Sequence, residues 1–390
     1  MKIVLVAGTR PEVIKLAPVR AAALTHPNIC VEWIATGQHT SLADQAMEMF
    51  ALRPDRRLAL DWDGSSLTSL TGALVSELGA ALAEAKPDMV VVQGDTASAF
   101  SGAAAAHLNR IPVAHVEAGL RSGDFANPFP EEGFRRLITP IADLNFAPTR
   151  DAARNLRNEG IPRGKIFVTG NTVIDAVLEI AKQDRVPEVL NRAKPGERLV
   201  LVTTHRRENW GEGVANVCSA IRTLRSAYPD TRFILPAHLN PRVRDTVAAE
   251  LAGEDRIEVI EPLAYPDFIA VLKNCTLVLS DSGGVQEEAP SFRVPVLVLR
   301  ERTERMEAVK AGTAKLVGTD RETIVREASR LLGDETRRRA MMRSGNPFGD
   351  GKSSERIVRE IAKFCRVPLA EPVNAAGAVN PVGAAAPARA

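Results

Sequence analysis

Short runs rich in valine, isoleucine and leucine alternate with longer amphipathic stretches along almost the whole chain, and no other feature restricts the fold as much. In the first half such runs lie at 2–6, 31–36, 89–93, 113–116, 143–146 and 165–168; in the second half they lie at 199–203, 232–235, 257–260, 276–280, 295–299 and 314–317. A strand that is apolar throughout must be covered on both faces, and helix-length connections return each strand parallel to the one before. The pattern predicts an α/β fold with doubly wound parallel sheets. A chain of 390 residues exceeds what one hydrophobic core ordinarily holds, so two Rossmann-like domains are expected.

The division is expected near Gly170 and Asn171, with a first domain over 1–169 and a second over 170–352. Residues 353–367 follow a Gly/Asp-rich turn and read as an amphipathic helix packing back on the first domain. From 368 to 390 the chain turns to Ala, Pro, Gly, Val and Asn with almost no charge and no period. Such a tail cannot bury enough surface to offset its ordering entropy, and disorder is expected.

The formal net charge of +2 leaves no electrostatic footprint for nucleic acid or for a membrane surface. No run approaches the roughly 18 apolar residues of a membrane span, and the N-terminal apolar run meets Arg10 too early for a secretory leader. A cytoplasmic location is expected. The cysteines Cys30, Cys218, Cys275 and Cys365 have no short spacing and read as reduced, buried thiols. No Cys/His spacing suggests a metal, and no nucleophile elbow is present.

Open parallel sheets bind ligands beyond the carboxyl ends of their strands, and the unusual residues of this chain collect there. In "LVLSDSGGVQEEAP" a strand runs into Ser282-Gly283-Gly284 and then a helix, an arrangement that offers backbone N–H groups to a phosphate. Glu287 and Glu288 would accept hydrogen bonds from hydroxyls of the same ligand, a ribose for example. "GTRPEVIK" places Arg10 and Lys15 at or one turn beyond a helix start, suited to a diphosphate. Gln38 and His39 follow the second strand, and Asp95 the third. "HVEAGLRSGD" sets His115 and Glu117 around a strand end, where a charge is costly unless used. Of Glu131 and Glu132 in "PFPEE", one is expected to be a capping or surface carboxylate. "HRREN" crowds His205, Arg206, Arg207 and Glu208 at another strand end, "PAHLNPR" adds His238, and "TER" adds Arg305 after Arg302.

Taken together, "GTRPEVIKLAPV", "QGDT", "HVEAGLRSGD", "PFPEE", "GNTVID", "HRREN", "SDSGGVQEEAP", "TER" and "NPFGDG" closely resemble the non-hydrolysing UDP-N-acetylglucosamine 2-epimerases, from Met1 to about Lys363. The resemblance implies a glycosyltransferase-B type fold, two Rossmann-like domains facing a cleft. It also implies interconversion of UDP-GlcNAc and UDP-ManNAc, no cofactor, and a homodimer. By the same resemblance Asp95, Glu117, Glu131 and His205 are catalytic. Arg10, Lys15, Phe268, Ser282, Gly283, Gly284, Glu288 and Arg305 contact the UDP-sugar. The implied route eliminates UDP to give 2-acetamidoglucal and then adds it back; Arg10 and Lys15 stabilise the leaving diphosphate. Rival readings on the same fold are a hydrolysing epimerase releasing free ManNAc, a glycosyltransferase, and a non-catalytic UDP-sugar binder.

Several positions depart from the family pattern. Phe134 stands where Asn is usual, Met306 and Leu239 where Pro is usual, Ala73 where Arg is common, and "QHTSL" where "QHREM" or "QHRQM" is common. Through these regions many bacterial members bind a second, activating UDP-GlcNAc, so a weakened or altered allosteric site is expected. Phe134 also leaves open a differently substituted sugar.

Overall fold

The computed structural model describes residues 1–60, 62, 64, 66–206, 209–237 and 240–372. It divides into two compact units, one formed by Met1–Ala176 with the chain from Gly349 on, the other by Val177–Phe348. Arg207, Glu208, His238, Leu239 and the tail beyond residue 372 lie outside the described residues.

The first unit holds strands β1 (Lys2–Ala7), β2 (Cys30–Ala35), β3 (Arg56–Arg57), β4 (Met89–Gln93), β5 (Val113–Val116), β6 (Leu144–Ala147) and β7 (Ile166–Val168). They form one parallel sheet in the order β3-β2-β1-β4-β5-β6-β7. The second unit holds β8 (Arg198–Thr203), β9 (Thr231–Pro236), β10 (Ile257–Ile260), β11 (Leu277–Ser280), β12 (Val296–Val298) and β13 (Ala314–Leu316). These too are all parallel, in the order β10-β9-β8-β11-β12-β13. Each unit is Rossmann-like and doubly wound. Every apolar run named above forms a strand, its ends shifted by at most one residue. The addition is β3, two arginines pairing with Ile34 and Ala35 at the sheet edge, where no apolar run is required.

β4 and β5 are buried at every position, as strands covered on both faces must be. On one face Val4, Val6, Val90 and Val92 pack with Leu74, Leu78 and Leu82 of helix Leu67–Ala85 and with the alanines of helix Ala97–Leu108. Small residues let that last helix lie close to the sheet. A Cβ on its Gly102 would sit 3.0 Å from Val92 Cγ1. In the second unit Val200, Phe233, Leu279 and Leu297 share a core with Ile221 and Leu224 of helix Glu212–Ala227 and Ile324 of helix Arg321–Leu332.

Asn171 donates to Glu117 at 3.1 Å, so the start of helix Thr172–Ala181 stays with the first unit and the division falls a few residues beyond Gly170. Helix Ser353–Phe364 belongs to that unit as well: the Ser353 and Ser354 N–H groups donate to Asp175 at 3.2 and 2.7 Å. Asn28 Nδ2 donates to the Pro368 carbonyl at 2.6 Å, and His26 Nδ1 lies 2.7 Å from that of Ala370. No described helix is long and apolar enough to cross a membrane. The cysteines are unbridged, and burial pushes the Cys218 thiol up to about 12.

In each sheet the winding reverses once. The reversal falls between β1 and β4 in the first unit and between β8 and β11 in the second. Loops at such a point leave in opposite directions and open a crevice at the carboxyl ends of the strands. The connections after these four strands carry Arg10, Lys15, Asp95, His205, Ser282, Gly283, Gly284 and Glu288.

Candidate active site

In the first unit, β1 leads through Gly8 and Thr9 into helix Arg10–Leu24, placing Arg10 half-buried on its first turn and Lys15 a turn further. Lys15 Nζ lies 2.6 Å from both carboxylate oxygens of Glu117. Glu117 follows directly on β5 and is 9% exposed, with φ of 65° in the left-handed region. A non-glycine residue there costs on the order of 1–3 kcal/mol and persists only where its surroundings fix it. Lys15, Gln93 Nε2 and Asn171 Nδ2 all donate to its carboxylate.

After β4, Asp95 receives the Arg135 guanidinium, with Nε at 2.9 Å. Burial drives the Asp95 carboxyl above the ordinary aspartate range; Arg135 opposes the shift without cancelling it, and the nearby Glu117 charge adds to it. Arg135 Nη1 also reaches Glu132 at 3.2 Å. Glu132 is 0% exposed and accepts from Ser122 N–H at 3.0 Å and Arg136 Nε at 2.8 Å, so it braces the loop rather than serving the surface. Burial alone would raise its pKa, but these bonds and the two arginines outweigh it and hold the group below the usual carboxylate range. Glu131 opens helix Glu131–Ile141, and its Oε2 is buried with no hydrogen-bond partner among the described residues.

His115 is fully buried on β5 with Nε2 2.7 Å from the Gly94 carbonyl, and burial lowers its pKa to about 4. It is therefore neutral near pH 7 and supports the loop that carries Asp95. Phe134 leaves the site altogether: it is 9% exposed and stacks on Phe100, ring centroids 5.1 Å apart, in the core beneath the helices.

In the second unit, the loop after β8 is fastened by Asp281, the residue following β11. Asp281 is 0% exposed and accepts from His205 N–H at 2.8 Å, Arg206 N–H at 2.9 Å and Asn209 Nδ2 at 2.9 Å. Asn209 donates in turn to the Leu299 carbonyl at 3.1 Å. His205 is thus set at the crevice by its backbone.

Ser282 is the N-cap of Gly283–Glu288, which passes directly into a 3-10 turn at Ala289–Phe292 as Pro290 arrives. With so short a helix, an anion would meet first-turn N–H groups rather than a long macrodipole. Glu287 is turned to Arg305: its Oε1 accepts from Arg305 Nε at 2.7 Å. The Arg305 guanidinium passes over Gly283, with Cζ 3.5 Å from where a Cβ would sit. Its backbone N–H rests on Thr303 Oγ1 at 3.1 Å, and Thr303 donates to Gln286 at 2.7 Å. Glu288 is 7% exposed and accepts from Tyr265 Oη at 2.7 Å. Phe268, half-buried, lies one turn along that same helix, Tyr265–Lys273, while Arg302 is exposed.

A family model described as UDP-N-acetylglucosamine 2-epimerase matches residues 22–362 of the chain. The UDP-N-acetylglucosamine 2-epimerase of Escherichia coli K12 is 42% identical over 377 residues, covering 95% of this chain and 100% of its own.

The chain belongs to the UDP-N-acetylglucosamine 2-epimerase family.

Two solved structures of that family extend the match. The UDP-GlcNAc 2-epimerase of Neisseria meningitidis, solved with UDP-GlcNAc bound, is 40% identical, with a TM-score of 0.81 over 93% of this chain and 100% of that one. S. aureus MnaA, solved with UDP, is 40% identical, with a TM-score of 0.84 over 94% of this chain and 97% of that one.

Within this epimerase fold the first unit draws Lys15, Asp95 and Glu117 to one switch point, and the second draws His205, Ser282, Gly283 and Arg305 to the other. Asp281, Asn209, Arg135 and Glu132, which fix these groups, were not singled out as functional by sequence reasoning. A carboxylate directly after a strand was the available signal for Asp281. For Arg135 and Asn209 the partner lies 40 and 72 positions along the chain.

Proposed function

We propose that this chain interconverts UDP-GlcNAc and UDP-ManNAc by eliminating and re-adding UDP, without hydrolysis. What chiefly supports this is the set of three differently held carboxyl groups in the first unit. Glu117 is gripped by three donors, Asp95 is clamped by Arg135, and Glu131 keeps a buried oxygen unpartnered among the described residues. Inversion at carbon 2 needs proton transfer on both faces of the sugar, and groups in unlike environments can hold unlike protonation states.

In the proposed route a base takes the carbon 2 proton while the carbon 1 to oxygen bond breaks. The electron pair of the C–H bond becomes the carbon 1 to carbon 2 double bond of 2-acetamidoglucal, and UDP leaves with the C–O pair. UDP then adds back to carbon 1 as a proton reaches the other face of carbon 2. Arg10 and Lys15 balance charge growing on the diphosphate. Ser282, Gly283, Gly284 and Arg305 hold the phosphates, Glu288 a ribose hydroxyl, Phe268 the base, and His205 the leaving phosphate or a sugar hydroxyl. The relatives solved with UDP and UDP-GlcNAc support this substrate class.

Incubation with UDP-GlcNAc in deuterated water, followed by proton NMR, tests the route. Deuterium at carbon 2 of a mixture of both UDP-sugars is expected; free ManNAc or unlabelled substrate would overturn it. A homodimer belongs to the same proposal, and sedimentation velocity reads it. So does a weakened second UDP-GlcNAc site: UDP-ManNAc should turn over without trace UDP-GlcNAc, and strict dependence on the trace sugar would refute that.

A further inference from the structure

The carboxyl group of Glu12 is 0% exposed and has no part in the route above. Its Oε2 accepts from Gly8 N–H at 3.0 Å and Thr9 N–H at 2.8 Å, and its Oε1 accepts from Thr96 Oγ1 at 2.6 Å. The bond to Thr9 is the return arm of a capping box, which any helix start can use. The bond to Thr96 goes further, because Thr96 lies on the far side of the switch point and itself caps helix Ala97–Leu108 through Ala99 N–H at 3.0 Å. One buried carboxyl therefore ties the loop after β1 to the loop after β4. Arg10 follows Thr9 directly, and Asp95 directly precedes Thr96.

The surrounding loops are knit in the same way. Thr36 and Ser98 hydroxyls lie 2.7 Å apart, and Gln38 Oε1 accepts from Ser98 N–H and Oγ at 3.0 and 2.7 Å. Burying a carboxyl is costly, and a neutral amide would fill the same space. The cost is borne where the backbone on either side carries a reacting and a binding group.

We propose that Glu12 is a positioning residue for the proposed reaction, fixing Asp95 and Arg10 relative to each other across the β1/β4 crevice; this rests on the roles given to those two residues above. A displacement of about 1 Å at such a site can cost about 100-fold in rate. Glutamine can keep the tether, with its carbonyl oxygen on the two N–H groups and its amide donating to Thr96 Oγ1.

The test compares Glu12→Ala, Glu12→Gln, Thr96→Val and Thr96→Ser in the full chain, with UDP-GlcNAc as substrate and UDP as binding probe. Glu12→Ala and Thr96→Val should each lower kcat at least about 30-fold, far more than they change UDP affinity, while the Gln and Ser variants recover to within about fivefold of the parent. Thr96→Val leaves Glu12 in place, so it answers even if Glu12→Ala does not fold. A folded Thr96→Val within threefold of the parent, or a folded Glu12→Gln as slow as Glu12→Ala, would overturn the inference. The parent in deuterated water reports separately: no label at carbon 2 sinks the elimination route, whereas a labelling parent with unimpaired variants sinks only this inference.

Discussion

Lys15 Nζ and the Glu117 carboxylate meet with both N–O distances at 2.6 Å, and their side chains are 14% and 6% exposed. Removing one partner of so enclosed a pair strands the other charge, at about 3–5 kcal/mol. Glu117 keeps Gln93 and Asn171 as donors when Lys15 is lost, so the penalty for Lys15→Met should fall at the low end. Glu117→Gln should lower kcat at least about 1000-fold, because it removes a proposed acid/base group. Steady-state rates and thermal melts of both single variants and the double variant check this. Strongly non-additive losses are expected, and multiplying effects would mean that the two residues act apart.

Asp281 organises the loop after β8 as an acceptor alone. His205 N–H, Arg206 N–H and Asn209 Nδ2 all point at its carboxylate. Asp281→Asn must turn an amide N–H against at least one of them, leaving a buried donor unmet at about 1–3 kcal/mol. A lower Tm with a larger fall in kcat than in UDP affinity is expected. A variant melting and turning over like the parent would show that the loop holds itself.

Two glycines near the site should respond in opposite ways. At Gly119, φ is 90° and an added Cβ would lie 2.4 Å from the Ala152 carbonyl oxygen, so Gly119→Ala should cost about 3 kcal/mol or more of stability. At Gly283 an added Cβ meets Arg305 Cζ at an ordinary 3.5 Å. Gly283→Ala should melt like the parent yet bind UDP about tenfold more weakly, because the methyl occupies the phosphate's approach to the backbone. Calorimetric titration with UDP beside a thermal melt separates the two outcomes.

The legibility of these features followed the range of the interaction behind each. β4 and β5 were readable to the residue because a strand buried on both faces must be apolar throughout. β3 was not, since Arg56 and Arg57 add to an edge that asks little of side chains. The candidate residues of the first unit's crevice announced themselves as charges after apolar runs. What holds them did not: Arg135 reaches Asp95 across 40 positions, and Asn171 reaches Glu117 across 54. Phe134 looked like a change in the site because its neighbours in sequence belong there. A helix turns each successive side chain to a new face, and this one faces Phe100.

Glu12 also makes stability depend on pH. Burial, working against the hydrogen bonds from Gly8, Thr9 and Thr96, pushes its carboxyl from 4.5 up to about 7. Below pH 4.5 both folded and unfolded chains hold the proton and no penalty arises. Between 4.5 and about 7 the unfolded chain gives it up while the folded chain keeps it, so stability falls as pH rises through that window. Above about 7 the loss is complete, at about 3 kcal/mol. Glu12→Gln has no such proton. The Tm of Glu12→Gln minus that of the parent should therefore climb by several degrees between pH 4.5 and 7.5 and then level off. Parallel Tm curves for the two proteins across that window would show that the Glu12 carboxyl is already ionised in the folded chain at pH 5.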